Sequence, residues 1–198
     1  MKVFFDTEFT GLHKNTTLIS IGLVDEYGRA FYAEFDDYDK SQVTDWIKEN
    51  VIKNLKFKYA PIGGTNPEDP DVMNFKGSKD TICSSLLEWL KPYDKVEFVS
   101  DVCHYDFVLL IDLLVDSALD LPENLSANCI DLNTIIALME KMSDKKAFDY
   151  SREELVQKYH RDVKGDKHNS LYDARVIKEI YQAYEERDWL YHINLGKL

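Results

Sequence analysis

A chain of 198 residues, 44% apolar and 13% aromatic, suits one folded domain with one sizeable core and argues against global disorder. Its formal charge of −12 argues against a protein that coats duplex DNA, because that kind of phosphate binding rests on lysine and arginine. The three cysteines, Cys83, Cys103 and Cys129, are odd in number and form no close Cys-x-x-Cys pair. Neither a disulfide framework nor a zinc ribbon is expected, and a reducing, cytoplasmic setting fits.

Residues 2–8 read as a short apolar strand whose run breaks at Asp6, so no signal peptide is expected. Residues 17–25, rich in β-branched side chains, read as a second strand. Residues 29–35, after the turn Glu26-Tyr27-Gly28, read as a third, which gives an antiparallel meander. The spacing of Val43, Trp46, Ile47, Val51 and Leu55 predicts a helix over about 41–54 with Ser41 as its N-cap. Residues 56–77 hold three of the five prolines and three of the eight glycines and read as an irregular excursion. Ser78 caps a helix to about residue 91, with Ile82, Leu86, Trp89 and Leu90 toward the core. A strand at 95–100, a helix at 104–116, a short strand at 129–132 and helices at about 133–142, 150–160 and 170–188 follow. The apolar run 107–111 is too short to span a membrane. Three antiparallel strands followed by alternating helix and strand indicate a single α/β domain over 1–198 with a mixed five-stranded sheet.

Asp6 and Glu8 lie two apart on the first strand, so both carboxylates emerge on one face near its end. The ordinary reading is a strand running out into solvent. The string Asp6-Thr7-Glu8-Phe9-Thr10-Gly11-Leu12 nevertheless resembles the first motif of DEDD-type exonucleases, Asp-x-Glu-Thr-Thr-Gly-Leu. In Val99-Ser100-Asp101-Val102-Cys103-His104-Tyr105-Asp106 a strand ends and a helix opens with an acid in its first turn. Tyr105-Asp106 resembles the second motif, an aromatic-Asp pair. Asp101 is the rival acid, and stabilising the helix dipole is the ordinary role for Asp106. His168-Asn169-Ser170-Leu171-Tyr172-Asp173-Ala174-Arg175 resembles the DEDDh signature, in which a histidine precedes the last aspartate by five residues. Residues five apart share no helical face. The spacing works if Asn169 or Ser170 caps the helix and His168 folds back from a loop over Asp173. A surface histidine before a capped helix is the ordinary alternative.

The three motifs stand in the family's order along nearly the whole chain, and their short forms are most similar to the RNase AS-type exoribonucleases. Phe9 in place of Thr, and Ser170 where many members carry Ala, depart from the pattern. The resemblance implies an RNase H-like domain that gathers Asp6, Glu8, Asp106 and Asp173 in one cleft. Carboxylates about 4 Å apart repel by about 4 kcal/mol per pair at an effective dielectric near 20. Such a cleft calls for cations, and oxygen-only ligands suit Mg²⁺ or Mn²⁺. Two ions would clamp the attacking and leaving oxygens of a phosphodiester. By resemblance, Asp6 bridges both ions, Glu8 and Asp173 complete the site of the nucleophilic water, and Asp106 helps to hold the second ion. His168, with an ordinary pKa near 6.5, is the general base. Thr10, Gly11 and Leu12 match positions that hold the 3′-terminal nucleotide. Phe9 and Tyr105 either stack on bases or pack in the core. Arg175 either reaches a phosphate or, the ordinary reading, forms an ion pair on the helix surface. Trp46 and Trp89 are read as core.

The activity implied is metal-dependent 3′→5′ hydrolysis of single-stranded nucleic acid, RNA favoured, to nucleoside 5′-monophosphates. The acidic charge is compatible with this, since an enzyme that grips a strand end needs few phosphate contacts and bound metals supply positive charge locally. A DNA-directed exonuclease of the same fold is one competing reading, because the motifs do not separate RNA from DNA. A catalytically silent nucleic-acid-binding module is another, and the mutually repelling carboxylates speak against it. A nuclease of very short oligomers is a weaker third. Related enzymes are often homodimers, but the chain shows no dimer seam.

Overall fold

Val3, Phe4 and Phe5 are buried to 0% exposure, which places β1 (Lys2–Phe9) in the interior of the sheet with both faces covered. The computed structural model describes residues 1–58, 62–115 and 120–187. In it β1 pairs antiparallel with β2 (Leu18–Asp25), and β2 pairs antiparallel with β3 (Ala30–Phe35), as the meander predicts. Two strands that the sequence hides, β4 (Ile62–Thr65) and β5 (Val72–Gly77), lie inside the stretch read as an excursion. β5 adds parallel to β3, and β4 closes the edge antiparallel to β5. Beyond β1, β6 (Val96–Ser100) and β7 (Leu125–Asp131) continue in parallel. The sheet therefore has seven strands rather than five, in the order β4-β5-β3-β2-β1-β6-β7. Gly63 and Gly64 conceal the edge strand, since glycine carries no strand propensity. Pro67 and Pro70 fall between β4 and β5, where no ladder donor is needed.

The helices are α1 (Asp45–Asn50), α2 (Lys79–Leu90), α3 (Cys103–Leu114), α4 (Leu132–Met139), α5 (Asp144–Asp149), α6 (Arg152–Lys158) and α7 (Ser170–Glu185). The helix expected over 41–54 shrinks to α1, six residues long. Thr44, not Ser41, is its N-cap and accepts from the Ile47 N–H. Ser41 sits in a 3-10 turn capped by Asp39, and a second 3-10 turn takes Ile52–Asn54. The short helix α5 was not expected, and residue 188, the expected end of α7, lies outside the described residues.

Alternation along β1 assigns its side chains to two cores. Phe4 packs with Leu171, Ile177, Ile180 and Tyr184 of α7. Val3 and Phe5 pack with Ile82 and Leu86 of α2 and with Leu110 and Leu113 of α3. Each such apolar side chain contributes about 1.5–3 kcal/mol on burial. Asp6 and Glu8 continue the face of Phe4, beneath α7, and Thr7 continues the face of Phe5, beneath α3. α7 can approach closely because Gly22 of β2, opposite Asp6 in the ladder, has no side chain. A Cβ there would lie 2.3 Å from the Leu171 nitrogen and 2.4 Å from the Ser170 carbonyl carbon. The Ser20 and Ser170 hydroxyls, 3.0 Å apart, tie the same helix turn to β2. No helix among the described residues is long and apolar enough to cross a membrane.

Candidate active site

A cavity of about 580 Å³ opens at the carboxyl end of β1. Asp6, Glu8, Asp106, Asp173 and His168 all line it, as do Phe9, Thr10, Gly11, Leu12 and Tyr105. The chain thus brings every sequence-derived candidate to one place from three separate segments. Asp6 and Glu8 arrive on β1 itself. Asp106 arrives in the first turn of α3, and Asp173 in the first turn of α7.

Two left-handed backbone residues aim these segments. Val102, the residue before α3, has φ 54° and ψ 50°, a conformation that a β-branched side chain disfavours. It turns the chain from the end of β6 so that Asp106 meets β1. Asp106, only 6% exposed, accepts from the Thr7 N–H at 3.1 Å, from the Thr7 hydroxyl and from the Ser100 hydroxyl at 3.1 Å. His168, with φ 61°, precedes the cap of α7. Asn169 is that cap and accepts from the Tyr172 N–H at 3.3 Å. Ser170 is already inside the helix. The fold-back anticipated for His168 is present: the residue returns over the first turn of α7 toward Glu8 and Asp173. Its Nδ1 lies 3.8 Å from Glu8 Oε1, and ligand atoms of Glu8, His168 and Asp173 fall within 4.8 Å of one another.

Burial and mutual repulsion govern the charge of the cleft. Asp6 is pushed well above the ordinary carboxylate range, first by burial and then by Asp106, Asp173 and Glu8. Burial, then Asp173 and Asp106, push Glu8 up to about 8. Burial lifts Asp106 to about 7 against the opposing hydrogen bonds from Thr7 and Ser100. Burial likewise lifts Asp173 to about 7 against the His168 N–H. Among the described residues no lysine or arginine forms an ion pair with any of these four acids. Lys167 lines the cavity but pairs with Glu153 at 3.4 Å. A cleft of oxygen donors that hold protons for want of a positive partner fits a hard divalent cation such as Mg²⁺ or Mn²⁺. His168 is shifted the other way. Burial lowers its pKa first, and the charges of Lys167 and Lys53 lower it further against the opposing pull of Glu153.

The rival acid Asp101 also lines the cavity but is held by Arg152. The guanidinium grips it through Nε at 2.6 Å and Nη2 at 2.9 Å. The same guanidinium reaches the Ala147 and Tyr150 carbonyls and Asn133. Thr10, 3% exposed, turns its hydroxyl to Gln42 at 2.6 Å and to the Thr17 N–H at 2.9 Å, which fixes the loop after β1. Arg175 pairs with Asp69 at 3.2 Å, as the ordinary reading expects. The core reading of Trp46 is overturned. It is 56% exposed, lines the cavity, and sets its ring 5.2 Å from His168 in a T-shaped contact. Phe148 of α5 also lines the cavity, is 59% exposed and carried no sequence signal. Leu12, Trp46, Tyr105 and Phe148 are four of the seven exposed large apolar residues described, and all four ring the acids. Such a rim suits unpaired bases rather than a duplex.

Residues 1–184 match the family described as the 3′-5′ exoribonuclease Rv2179c-like domain. The chain belongs to this family. Two curated relatives, the 3′-5′ exoribonucleases Rv2179c and MT2234.1 of Mycobacterium tuberculosis, are each 30% identical over 97 residues. That stretch covers 48% of this chain and 58% of theirs, so the match spans a little over half the length of those relatives. The fold is shared with S. pombe Pop2p in its Mg²⁺- and Mn²⁺-bound form, at TM-score 0.61 and 16% identity over 96% of this chain and 84% of that one. It is shared equally with the nuclease domain of 3′hExo, a DEDDh family member bound to rAMP, at TM-score 0.61 and 13% identity over 95% and 92% of the two chains. The RNase H-like architecture expected from the motifs is therefore the architecture of this member of the family.

Proposed function

We propose that the chain is a 3′→5′ exoribonuclease that hydrolyses single-stranded RNA to nucleoside 5′-monophosphates, using two divalent ions and His168 as the general base. One observation carries the reading: Asp6, Glu8, Asp106 and Asp173, with no lysine or arginine ion-paired to them among the described residues, line one cleft with His168, whose ligand atom lies within 4.8 Å of those of Glu8 and Asp173. The family description and the names of the curated relatives favour RNA over DNA.

Asp6, Glu8, Asp106 and Asp173 would hold the ions, which when bound acidify a water and offset charge on the phosphate and leaving oxygen. The residues of the chain supply the rest. The Thr7 and Ser100 hydrogen bonds fix the Asp106 carboxylate, so its orientation is set before substrate arrives. Burial favours the unprotonated imidazole of His168, and its cleft-facing nitrogen would take the proton of the attacking water. The T-shaped contact with Trp46 orients the His168 ring. The exposed faces of Leu12, Tyr105, Trp46 and Phe148 would take the last bases of the strand. Attack at the last phosphodiester leaves the phosphate on the departing nucleotide. Chromatography of the products from matched single-stranded RNA and DNA with Mn²⁺ tests this. Nucleoside 5′-monophosphates formed from RNA faster than from DNA are expected. Nucleoside 3′-monophosphates, or no product from either polymer, would overturn the reading.

A further inference from the structure

Beside the catalytic cleft, across His168, lies a second depression of about 260 Å³ between the chain around residue 55 and the amino end of α7. Its charge runs against that of the chain. Four cations line it, Lys53, Lys56, Lys164 and Arg175, against one acid, Asp166, in a protein of net charge −12. Arg175 has Asp69 as an ion-pair partner at 3.2 Å. Lys53, Lys56 and Lys164 form no ion pair among the described residues. Lys56 and Arg175 are near enough for the guanidinium to hold the Lys56 ammonium below its ordinary range, after the larger effect of partial burial. Glu34, Asp69 and Asp166 offset part of that repulsion, and an incoming anion would offset the rest.

The groove is built rather than incidental. Glu34, fully buried in β3, accepts from the Lys56 N–H at 2.5 Å and the Phe57 N–H at 3.1 Å. Lys56 Nζ stands 5.3 Å over the Tyr32 ring. Asn54 donates from Nδ2 to the Lys167 carbonyl at 2.7 Å, and its own carbonyl accepts from Asn169 Nδ2 at 3.2 Å. Lys167 and Asn169 are the two neighbours of His168, so the wall of the groove is pinned to both sides of the proposed general base.

We propose that this groove carries the phosphodiester backbone of the RNA strand on the 5′ side of the scissile linkage, with Lys53, Lys56 and Lys164 supplying the phosphate contacts. The inference rests on the exoribonuclease reading of the neighbouring cleft. It offers a way for so acidic a chain to grip a polyanion: the apolar rim takes bases and the groove takes backbone. It also makes the enzyme favour a strand of several nucleotides over a dinucleotide.

The test uses the full chain in EDTA and measures binding of a labelled 12-nucleotide single-stranded RNA by fluorescence anisotropy across a salt series. Each single-strand phosphate contact contributes about 0.7 to the slope of log K against log salt. A Lys53→Ala/Lys56→Ala/Lys164→Ala variant should therefore lose about 2 from that slope and bind roughly 100-fold more weakly near 0.1 M salt. A Lys91→Ala/Lys95→Ala/Lys145→Ala variant makes the same change in net charge at exposed sites away from the groove and is the control. Lysine-to-glutamine versions replace any variant whose thermal midpoint moves. Equal weakening by both triple variants, or unchanged slope and affinity in the groove variant, would overturn the proposal. Hydrolysis with Mn²⁺ is read separately on the wild type. RNA cleavage with a silent groove variant removes the groove alone, and groove-dependent binding without cleavage removes the exoribonuclease reading alone.

Discussion

Substituting Gly22 by alanine should disable the site from a residue that carries no functional group. The added Cβ would sit 2.3–2.4 Å from backbone atoms of Leu171 and Ser170, where ordinary contact begins at 3.4 Å. Backbone cannot swing aside as a flexible side chain does, so the first turn of α7 must retreat by roughly 1 Å. That turn carries Asp173 and follows His168, while Asp6 and Glu8 stay on β1. Overpacking of this kind costs about 1–3 kcal/mol, which lowers the thermal midpoint by about 2–12 °C in a domain of this size. A displacement near 1 Å between reacting groups lowers turnover by about 100-fold. Gly63→Ala on the edge strand is the control, since its Cβ meets only the Phe75 side chain at 3.4 Å. Differential scanning fluorimetry and kcat/KM on single-stranded RNA read both effects. Gly22→Ala melting within 1 °C of wild type and turning over within about twofold of it would refute the claim that close approach of α7 assembles the cleft.

Three further predictions follow from the site. Trp46→Ala should lower kcat by about 2- to 10-fold, as the loss of a ring contact worth about 0.5–1.5 kcal/mol implies, and kcat equal to wild type would remove Trp46 from the positioning of His168. Arg152→Ala, which strands the Asp101 carboxylate beside Asp6, should cost about 3 kcal/mol and lower the thermal midpoint by about 6–12 °C, whereas a shift under 2 °C would show that the pair is dispensable. The third concerns pH. The folded-state values of Glu8, about 8, and of Asp106 and Asp173, about 7, lie above the ordinary values near 4 of an unfolded chain. Their contribution to stability is full below about pH 4 and is lost as pH rises through 7 and 8. Mn²⁺ should therefore raise the thermal midpoint more at pH 8 than at pH 6, and equal shifts at the two values would contradict the electrostatic account.

Most of the site was legible because its parts are local in sequence. Asp6 and Glu8 sit on one apolar strand at an even spacing, and Asn169 caps the helix that carries Asp173 at a spacing that lets His168 fold back. The sequence favoured Asp106 through the Tyr105-Asp106 pair and left Asp101 as the rival. The residue that decides between them, Arg152, lies 51 positions from Asp101. Trp46 was misread because helical spacing placed it on the core stripe. The Thr44 cap shortens α1 to six residues and leaves Trp46 in its first turn, over His168. β4 and β5 were hidden by glycines and prolines whose effect on propensity is overridden once β5 pairs with β3. Phe148 and the groove lysines belong to no motif, and only the packing of distant segments reveals their positions.

The central claim is that the four carboxylates act together in metal-dependent removal of nucleotides from a 3′ end. The measurement that bears on it most directly follows 5′-labelled single-stranded RNA over time with Mn²⁺ or EDTA, for the wild type and Asp6→Asn. Asparagine keeps the size of the aspartate and removes its charge, so folding is checked against an unchanged or raised thermal midpoint. A ladder shortening from the 3′ end that needs Mn²⁺ and vanishes in Asp6→Asn is the predicted result. Shortening that persists in EDTA, or in the folded Asp6→Asn protein, would contradict the account.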